Sequence, residues 1–519
     1  MRRFLRDFTA HNARCVSYAA SIFNYKATVD ELIPFPSHKL EIDESENIQA
    51  LIEQIRNGDK ELSIPGARIA VEYGGLGLGH TAHALVCEEL GTCGNKKLLA
   101  TIQHCSMASY LLSTFSSSKL KGKYLTTMSD GIVMMGWAVN EGFGTDFSMN
   151  ATTATLENGV YWIKGEKICH FGENATHFIV MAKTMTQVVT EDGPKEMLRN
   201  SFFVVKKNND HKCVRVNKNH VTFDNAPAED VIGAVGEAFR NSMITLFTEE
   251  YVYAAALLGT LKRVVQELRA MVPDRWATTT VASCACSIYA MESALYALTA
   301  CLDLQTEDSL LEVALVNAFV QITTNEWLTL LSTATPTTET LEECFACARA
   351  LLEMMESSDF LYSTAVCYGV EDFGLNFQRT TTLQLMQTRL LRTLNLYERL
   401  PIKEIDCTPI DKAIVNFGNA VESAFVRNTT RLPYQQLIIN RLGEAAGLIY
   451  IATAAASRAS MCINKRIKTA NTEKQLATAF ITSAMERVNI LSNECRNTGL
   501  TADDSYMRIA LELCEDALQ

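Results

Sequence analysis

The chain has 519 residues, of which 48% are hydrophobic and 20% are charged, and its mean hydropathy is +0.03. This is the composition of a globular protein with a large core, and a domain size of roughly 100–200 residues predicts three or four domains. The formal charge of −12 and the pI near 5.4 argue against a nucleic-acid partner, although local basic patches stay open.

The N-terminal residues, MRRFLRDFTAHNAR, carry four arginines against one aspartate, with Phe and Leu between them. This pattern predicts a mitochondrial targeting segment over residues 1–16. An ordinary basic helix at the N-terminus has the same pattern, so both interpretations stay open. A linker marked by prolines follows at 31–47, and residues 48–58 have apolar positions at helical spacing.

A Gly-rich stretch, GGLGLG at 74–79, precedes an amphipathic helical pattern. A dinucleotide-binding fingerprint would have to follow a strand inside a βαβ unit. Here helical patterns stand on both sides, which favours a turn between two helices. The chain contains no Walker A lysine motif, no HExxH and no GxSxG, so hydrolase chemistry has no support.

Between 131 and 233 short β-branched and aromatic runs are separated by turns, which predicts a compact antiparallel sheet or barrel. Within it, GEKICHFGENATHF brings together four residue types that zinc prefers, at Cys169, His170, Glu173 and His177. The surrounding sequence favours a β-hairpin with its turn at Gly165. Adjacent side chains of a strand point to opposite faces, so Cys169 and His170 would diverge and no metal site is predicted.

Long Ala/Leu/Met-rich patterns predict a helical bundle over about 236–400 and a further helical block over 406–519. The weakly charged run at 276–291 is shorter than a membrane span, so we expect a bundle helix there. The 16 cysteines stand mostly among apolar neighbours, which indicates buried thiols in a reducing compartment. The close pair Cys344 and Cys347 has a helical pattern around it and is interpreted as core packing.

Three motifs in order resemble the acyl-CoA dehydrogenase family. VEYGGLGLGHTAHALVCEELG at 71–91 is similar to the family's YGGxGLG turn and its helix, and residues 119–154 are similar to the helix end and flavin loop that precede its strands. VTFDNAPAEDVIGAVGEAF at 221–239 resembles the strand and turn that follow. Residues 17–37 and 442–460 resemble the very-long-chain branch, which includes a paralogue that helps to assemble respiratory complex I.

The resemblance implies a mostly α fold with a central β domain: a helical N-terminal domain, a β-barrel middle domain, a helical bundle and a C-terminal helical domain. The domain boundaries that we predict after the targeting segment are 17–130, 131–233, 234–405 and 406–519. The resemblance also implies FAD as cofactor, acyl-CoA as substrate, a homodimer, and peripheral attachment to the matrix side of the mitochondrial inner membrane.

The flavin loop of the family maps onto Trp137, Val139, Asn140, Gly144 and Thr145, with Asn140 in place of the usual threonine. The second flavin strand of the family reads Trp-Ile-Ser/Thr-Asn-Gly. In this chain Cys169 replaces the tryptophan that covers the flavin, and Phe171 replaces the small hydroxyl residue beside the reactive nitrogen. A phenyl ring cannot donate the hydrogen bond of a hydroxyl group.

Other family positions are also changed. The Arg-x-Gln-Phe-Gly segment that binds the cofactor pyrophosphate across the dimer is missing, with Arg275 as the nearby candidate. The later Gly-Gly loop is replaced by a stretch with Glu371 and Asp372, whose carboxylates would repel a pyrophosphate. The catalytic glutamate of the F-E-G-T motif is replaced by Asn395. Glu249 matches the base that some branches carry on an earlier helix, although a solvated helix charge is the alternative for it.

Three hypotheses follow. The first is a non-catalytic member of the family that acts as a mitochondrial scaffold in complex I assembly or inner-membrane metabolism. The second is a divergent FAD enzyme that desaturates long acyl-CoA molecules with Glu249 as base. The third is a binding module that keeps the acyl-CoA cleft without the chemistry.

Overall fold

The computed structural model describes residues 17–26, 32–36, 42–57, 64–94, 96–142, 147–190, 193–207, 213–271, 275–304, 309–334, 338–394, 396–497 and 501–518. The predicted targeting segment, Gly144, Thr145 and Asn395 therefore lie outside the described residues. The side chain of Arg275 also lies outside them.

Six described helices precede the strands: α1 (Tyr18–Phe23), α2 (Ile42–Asn57), α3 (His80–Cys93), α4 (Lys96–Gln103), α5 (Ser109–Phe115) and α6 (Ser118–Ser129). The short α1 is buried along its whole length, and the hydroxyl of Ser17 caps it by accepting from the N–H of Ala20. The hydroxyl of Tyr18 lies 2.8 Å from that of Thr453, far along the chain. Residues near the N-terminus are therefore packed into the C-terminal helices.

Seven described strands form the middle region: β1 (Met135–Ala138), β2 (Thr153–Glu157), β3 (Val160–Ile168), β4 (His177–Thr190), β5 (Gly193–Lys206), β6 (Val214–Asn217) and β7 (His220–Ile232). The pairings run β4-β2-β3-β7-β5 and return to β4, which closes a barrel, while β1 extends from β4 and β6 from β7. Most pairs are antiparallel, but β1 and β2 each pair with β4 in parallel.

The hairpin turn is not at Gly165. The strand β3 runs through this glycine with a register shift, and the turn lies at Asn158 and Gly159, which have φ values of 51° and 80°. An Asn-Gly pair of this kind is a strong signal for a two-residue hairpin because both residues tolerate positive φ. Gly165 is needed for a different reason: a Cβ there would lie 2.4 Å from the Oγ1 of Thr152.

Eleven further helices are described after the barrel: α7 (Ala238–Glu249), α8 (Tyr251–Met271), α9 (Arg275–Leu304), α10 (Leu310–Ala334), α11 (Glu339–Met354), α12 (Ser358–Arg379), α13 (Thr382–Thr393), α14 (Thr408–Asn428), α15 (Gln436–Asn464), α16 (Ala470–Arg496) and α17 (Asp503–Leu518). These helices and the N-terminal ones share one hydrophobic core, and the barrel interior forms a second core. The predicted fold class is confirmed, while the domain boundaries stay a prediction.

Two helical stretches, Thr279–Leu304 and Gln436–Asn464, are long and apolar enough to cross a membrane by length and composition. Their most apolar windows are 56% and 78% buried inside the fold, as in the core helices of a soluble protein. Cys344 and Cys347 are both buried on α11, which confirms their interpretation as core packing. No disulfide is formed among the cysteines whose side chains the structure describes.

Candidate functional site

A small cavity lies where the chain leaves β1 and meets the helices on either side of the barrel. Trp137, Val139 and Asn140 line one wall, which brings together the three described residues of the predicted flavin loop. The other walls come from the end of β3 and from the helical regions, through Ile168, His170, Gln103, Met107, Leu246, Tyr253 and the run 353–356. The cavity has a volume of about 40 Å³, which is room for about three water molecules.

A buried ion pair fixes the start of the loop after β1. The Nζ of Lys167 lies 2.7 Å from the Oε1 of Glu141 and donates a hydrogen bond to the carbonyl of Val139. Both side chains are almost completely buried. Burial lowers the pKa of Lys167 to about 8, while Glu141 accepts from the backbone N–H groups of Ala151 and Thr152. The pair therefore ties both ends of the flavin loop to β3.

Two carboxyl groups meet beside the cavity. The backbone N–H of Glu356 donates to the Oε1 of Glu250 at 2.9 Å, and the Oε2 of Glu250 is buried with no hydrogen-bond partner. Burial raises the pKa of Glu250 to about 7. Burial and the charge of Glu250 raise the pKa of Glu356 to about 8. Paired carboxyl groups with raised pKa values are common at functional sites, and the sequence patterns did not single out either of them.

Glu249 points away from the cavity and is fully buried, so the alternative of a solvated helix charge is wrong. Its Oε1 accepts from Arg68 at 2.7 Å and lies 3.7 Å from the Nε2 of His80. The other ring nitrogen of His80 lies 3.1 Å from Asp303, whose carboxylate also accepts from the first N–H groups of α3. These hydrogen bonds lower the pKa of Asp303 although burial raises it. Among the residues that the structure describes, the Oε2 of Glu249 has no hydrogen-bond partner.

The two predicted residues of the second flavin strand do not line the cavity. Cys169 is 1% exposed and packs inside the barrel, where its N–H donates to the carbonyl of Asn219. Phe171 adopts a left-handed conformation with φ of 58° and packs against the helical core. The residue between them, His170, reaches the cavity instead. The cofactor roles of Cys169 and Phe171 stay predictions.

The four candidate metal ligands have separate surroundings. Cys169 lies in the barrel core, and Glu173 is exposed. The Nδ1 of His170 lies 4.0 Å from Glu353, and the Nε2 of His177 lies 3.8 Å from Glu229. Within the part of the chain that the structure describes, no group of three or more His, Cys, Asp or Glu side chains is placed to hold a metal ion.

On α12, Asp372 accepts from the side-chain amides of Asn24 and Asn376 at 2.7 and 3.1 Å. Glu371, beside it, lines a wide groove between α12 and α15. The predicted unfavourable effect of these two carboxylates on a cofactor pyrophosphate stays a prediction.

Comparison with known families decides what kind of protein has this fold. The family profile described as "Acyl-CoA dehydrogenase, N-terminal domain" matches residues 28–132, and the profile described as "ACAD9/ACADV, C-terminal domain" matches residues 406–518. The chain belongs to the acyl-CoA dehydrogenase family. This confirms the resemblance that the sequence motifs predicted.

Relatives of the very-long-chain branch match this family member over most of its length. The "Very long-chain specific acyl-CoA dehydrogenase, mitochondrial" of Rattus norvegicus is 23% identical in an alignment of 549 positions, gaps included. The alignment covers 92% of this chain and 84% of the rat protein. The protein of the same name from Bos taurus is 24% identical, with the same coverage of both chains. At this identity the chain is a divergent member of the acyl-CoA dehydrogenase family.

A solved structure of the family has the same fold. The acyl-CoA dehydrogenase from Bacillus anthracis, whose crystal structure is a complex with FAD, superposes with a TM-score of 0.69 at 18% identity. The match covers 92% of this chain and 87% of the bacterial chain, so it includes the helices on both sides of the barrel.

Proposed function

We propose that this chain is an acyl-CoA dehydrogenase-like mitochondrial protein with impaired or lost catalysis, which acts as a scaffold in complex I assembly or inner-membrane metabolism. The observation that carries the proposal is the size of the cavity beside Trp137, Val139 and Asn140. The family and its FAD-bound structure support FAD as the cofactor, which when bound would accept a hydride from an acyl-CoA. The cavity itself limits how well this chain can hold it.

The small volume of the cavity supports the proposal that FAD is bound weakly. Pockets for ligands of this size are about 300–1,000 Å³, whereas this cavity is about 40 Å³. Its outer wall is formed by Met354 and Met355, and Glu356 adds a carboxyl group next to the buried Glu250. Opening the cavity would move the chain between α11 and α12, so FAD would bind weakly or not at all.

The position of the candidate base supports the same proposal. Glu249 lies in an ion pair with Arg68 and is not among the residues that line the cavity next to Asn140. A base must come within hydrogen-bond reach of the proton that it removes. Glu249 does not meet this requirement in the described conformation.

The alternative function is an active FAD-dependent long-chain acyl-CoA dehydrogenase that uses Glu249 as base. One observation favours it: the Oε2 of Glu249 is buried without a hydrogen-bond partner, so this oxygen has no competing donor. The third hypothesis, a module that binds acyl-CoA without chemistry, requires an open cleft and is less well supported by a cavity of about 40 Å³.

We also propose a homodimer on the matrix side of the inner membrane. The exposed face of α13 supports self-association, because Leu383, Met386 and Leu390 stand at helical spacing and are 76%, 64% and 59% exposed. Complex I assembly factors are the proposed partners of the scaffold, and the mitochondrial names of the relatives support the location.

The two functions differ in the response to substrate. Purified protein is incubated anaerobically with FAD and a long-chain acyl-CoA, and flavin absorbance is followed. The scaffold proposal predicts that the flavin absorbance is not bleached by the acyl-CoA. It also predicts that cells without the protein contain less assembled complex I. Rapid bleaching that Glu249→Gln abolishes, together with normal complex I and impaired fatty-acid oxidation, would establish the enzyme instead.

A further inference from the structure

A groove of about 670 Å³ runs along α14, on the side where this helix meets α13 and the end of α16. Lys412 lies near the start of α14 and Arg427 near its end, so the lining spans about 22 Å at 1.5 Å per residue. We call this feature the α14 groove. It shares no lining residue with the cavity at the end of β1, and its lining includes Tyr397, two residues after the F-E-G-T position Asn395.

The α14 groove is strongly basic in a chain whose formal charge is −12. Among the described residues, its lining contains one carboxylate, that of Glu422, and five cations, which are Arg389, Arg392, Lys412, Arg427 and Arg496. Cations brought together at one surface repel each other, and their potential attracts anions. The local charge is therefore opposite in sign to the charge of the whole chain.

Glu422 already accepts hydrogen bonds from its neighbours, and its single negative charge does not neutralise the five cations of the groove. Its Oε2 accepts from the hydroxyl of Tyr25 at 2.5 Å, and its Oε1 accepts from the Nε of Arg389 at 3.0 Å. Burial raises the pKa of Glu422, but these hydrogen bonds and the neighbouring arginines lower it below its ordinary value. One carboxylate thus balances about one of the five cations.

Arg392 is held in place by Tyr25 and Glu422. Its guanidinium carbon lies 3.3 Å from the centre of the Tyr25 ring, and its Nη1 lies 3.5 Å from the Oε2 of Glu422, which is an ion pair. That Nη1 is buried, so Arg392 contributes to the groove through its positive charge and not through a direct contact of this atom with a ligand.

One of the cations has a structural role of its own. Arg427 stands in the last turn of α14, and its Nη2 donates to the carbonyl of Cys495 near the end of α16. This contact accounts for the position of Arg427 in the groove without a bound ligand. It does not explain Lys412 or Arg496, which are exposed on different helices and face the same groove.

We propose that the α14 groove binds an extended phosphate-bearing anion. A phosphate group brings more than one negative charge and three acceptor oxygens in a small volume, and the planar fork of an arginine matches it. Several such groups in a row fit a lining of about 22 Å better than a single carboxylate does. The phosphate can belong to a free polyphosphate compound or to the headgroup of an anionic phospholipid.

The test uses the whole chain and two probes. Binding of inorganic tripolyphosphate is measured by calorimetry, and binding to phosphatidylcholine vesicles with and without phosphatidylglycerol is measured by flotation. The double variant Lys412→Gln/Arg496→Gln removes two exposed cations from the groove. The double variant Lys468→Gln/Arg508→Gln removes the same charge from exposed positions outside it.

We expect the groove variant to weaken tripolyphosphate binding by about tenfold or more, because two charge-assisted contacts are lost, and the control variant to bind like the wild type. Binding only to vesicles with phosphatidylglycerol, lost in the groove variant alone, supports the lipid headgroup as the source. No binding of either probe, or an equal loss of binding in both variants, overturns the proposal.

Discussion

Replacing Glu250 by glutamine tests the buried carboxyl pair beside the cavity. Burial raises the pKa of Glu250 from 4.5 to about 7, so the folded protein keeps a proton that the unfolded chain releases. The contribution of Glu250 to stability is therefore fully present below the unfolded pKa of 4.5 and is lost as pH rises through about 7. A shift of this size corresponds to about 3 kcal/mol of unfolding free energy, since one pKa unit is about 1.4 kcal/mol.

A glutamine side chain does not ionise, so we expect the Glu250→Gln variant to lose much less stability between about pH 5 and about pH 8. The amide oxygen of the variant can still accept from the N–H of Glu356, and the pKa of Glu356 should fall because the charge of Glu250 no longer raises it. The assay is the midpoint of urea unfolding at a series of pH values, with the exposed Glu157→Gln as control. Parallel pH curves for Glu250→Gln and the wild type would refute the reasoning.

Three further predictions concern the loop, the candidate base and the exposed helix. Glu141→Ala leaves Lys167 buried without its partner and should lower the unfolding free energy by roughly 3–5 kcal/mol, as measured by urea unfolding. A loss below about 1 kcal/mol would contradict the role of this ion pair in holding the flavin loop to β3. Glu249→Gln should destabilise the protein through the loss of its ion pair with Arg68, whereas an unchanged thermal midpoint would show that the pair is not formed. Leu390→Glu should shift a dimer to monomer in sedimentation experiments, while the exposed Gln387→Glu should not.

The sequence predicted the order of helices, barrel and helices because hydrophobic periodicity and three motifs agreed on it. It also predicted that Cys169 and His170 would diverge, and they do, but the reason differs because β3 ends at Ile168 and both residues lie just beyond the strand. It placed the hairpin turn wrongly, because the Asn158-Gly159 pair was a stronger turn signal than Gly165.

The candidate site was less predictable. Glu249 and Glu250 are adjacent, so their side chains leave the helix about 100° apart. One of them pairs with Arg68 and the other accepts a hydrogen bond from Glu356, and no pattern in the sequence tells which does which. The partner Glu356 lies more than a hundred residues further along the chain, and contacts of this kind depend on how α8 packs against α11.

The α14 groove had no signal in the sequence for the same reason. Its cations come from three helices, and each basic residue alone is typical of an exposed helix surface. Only the packing of α13 and α16 against α14 brings them to one groove. The overall negative charge of the chain concealed this local excess of positive charge.

The flavin content of the purified chain tests the central proposal most directly. Absorbance between about 350 and 500 nm is compared with protein absorbance, before and after incubation with excess FAD and gel filtration. A cavity of about 40 Å³ predicts far less than one flavin per chain in both samples. One flavin per chain that remains after gel filtration and is bleached by a long-chain acyl-CoA would contradict the account.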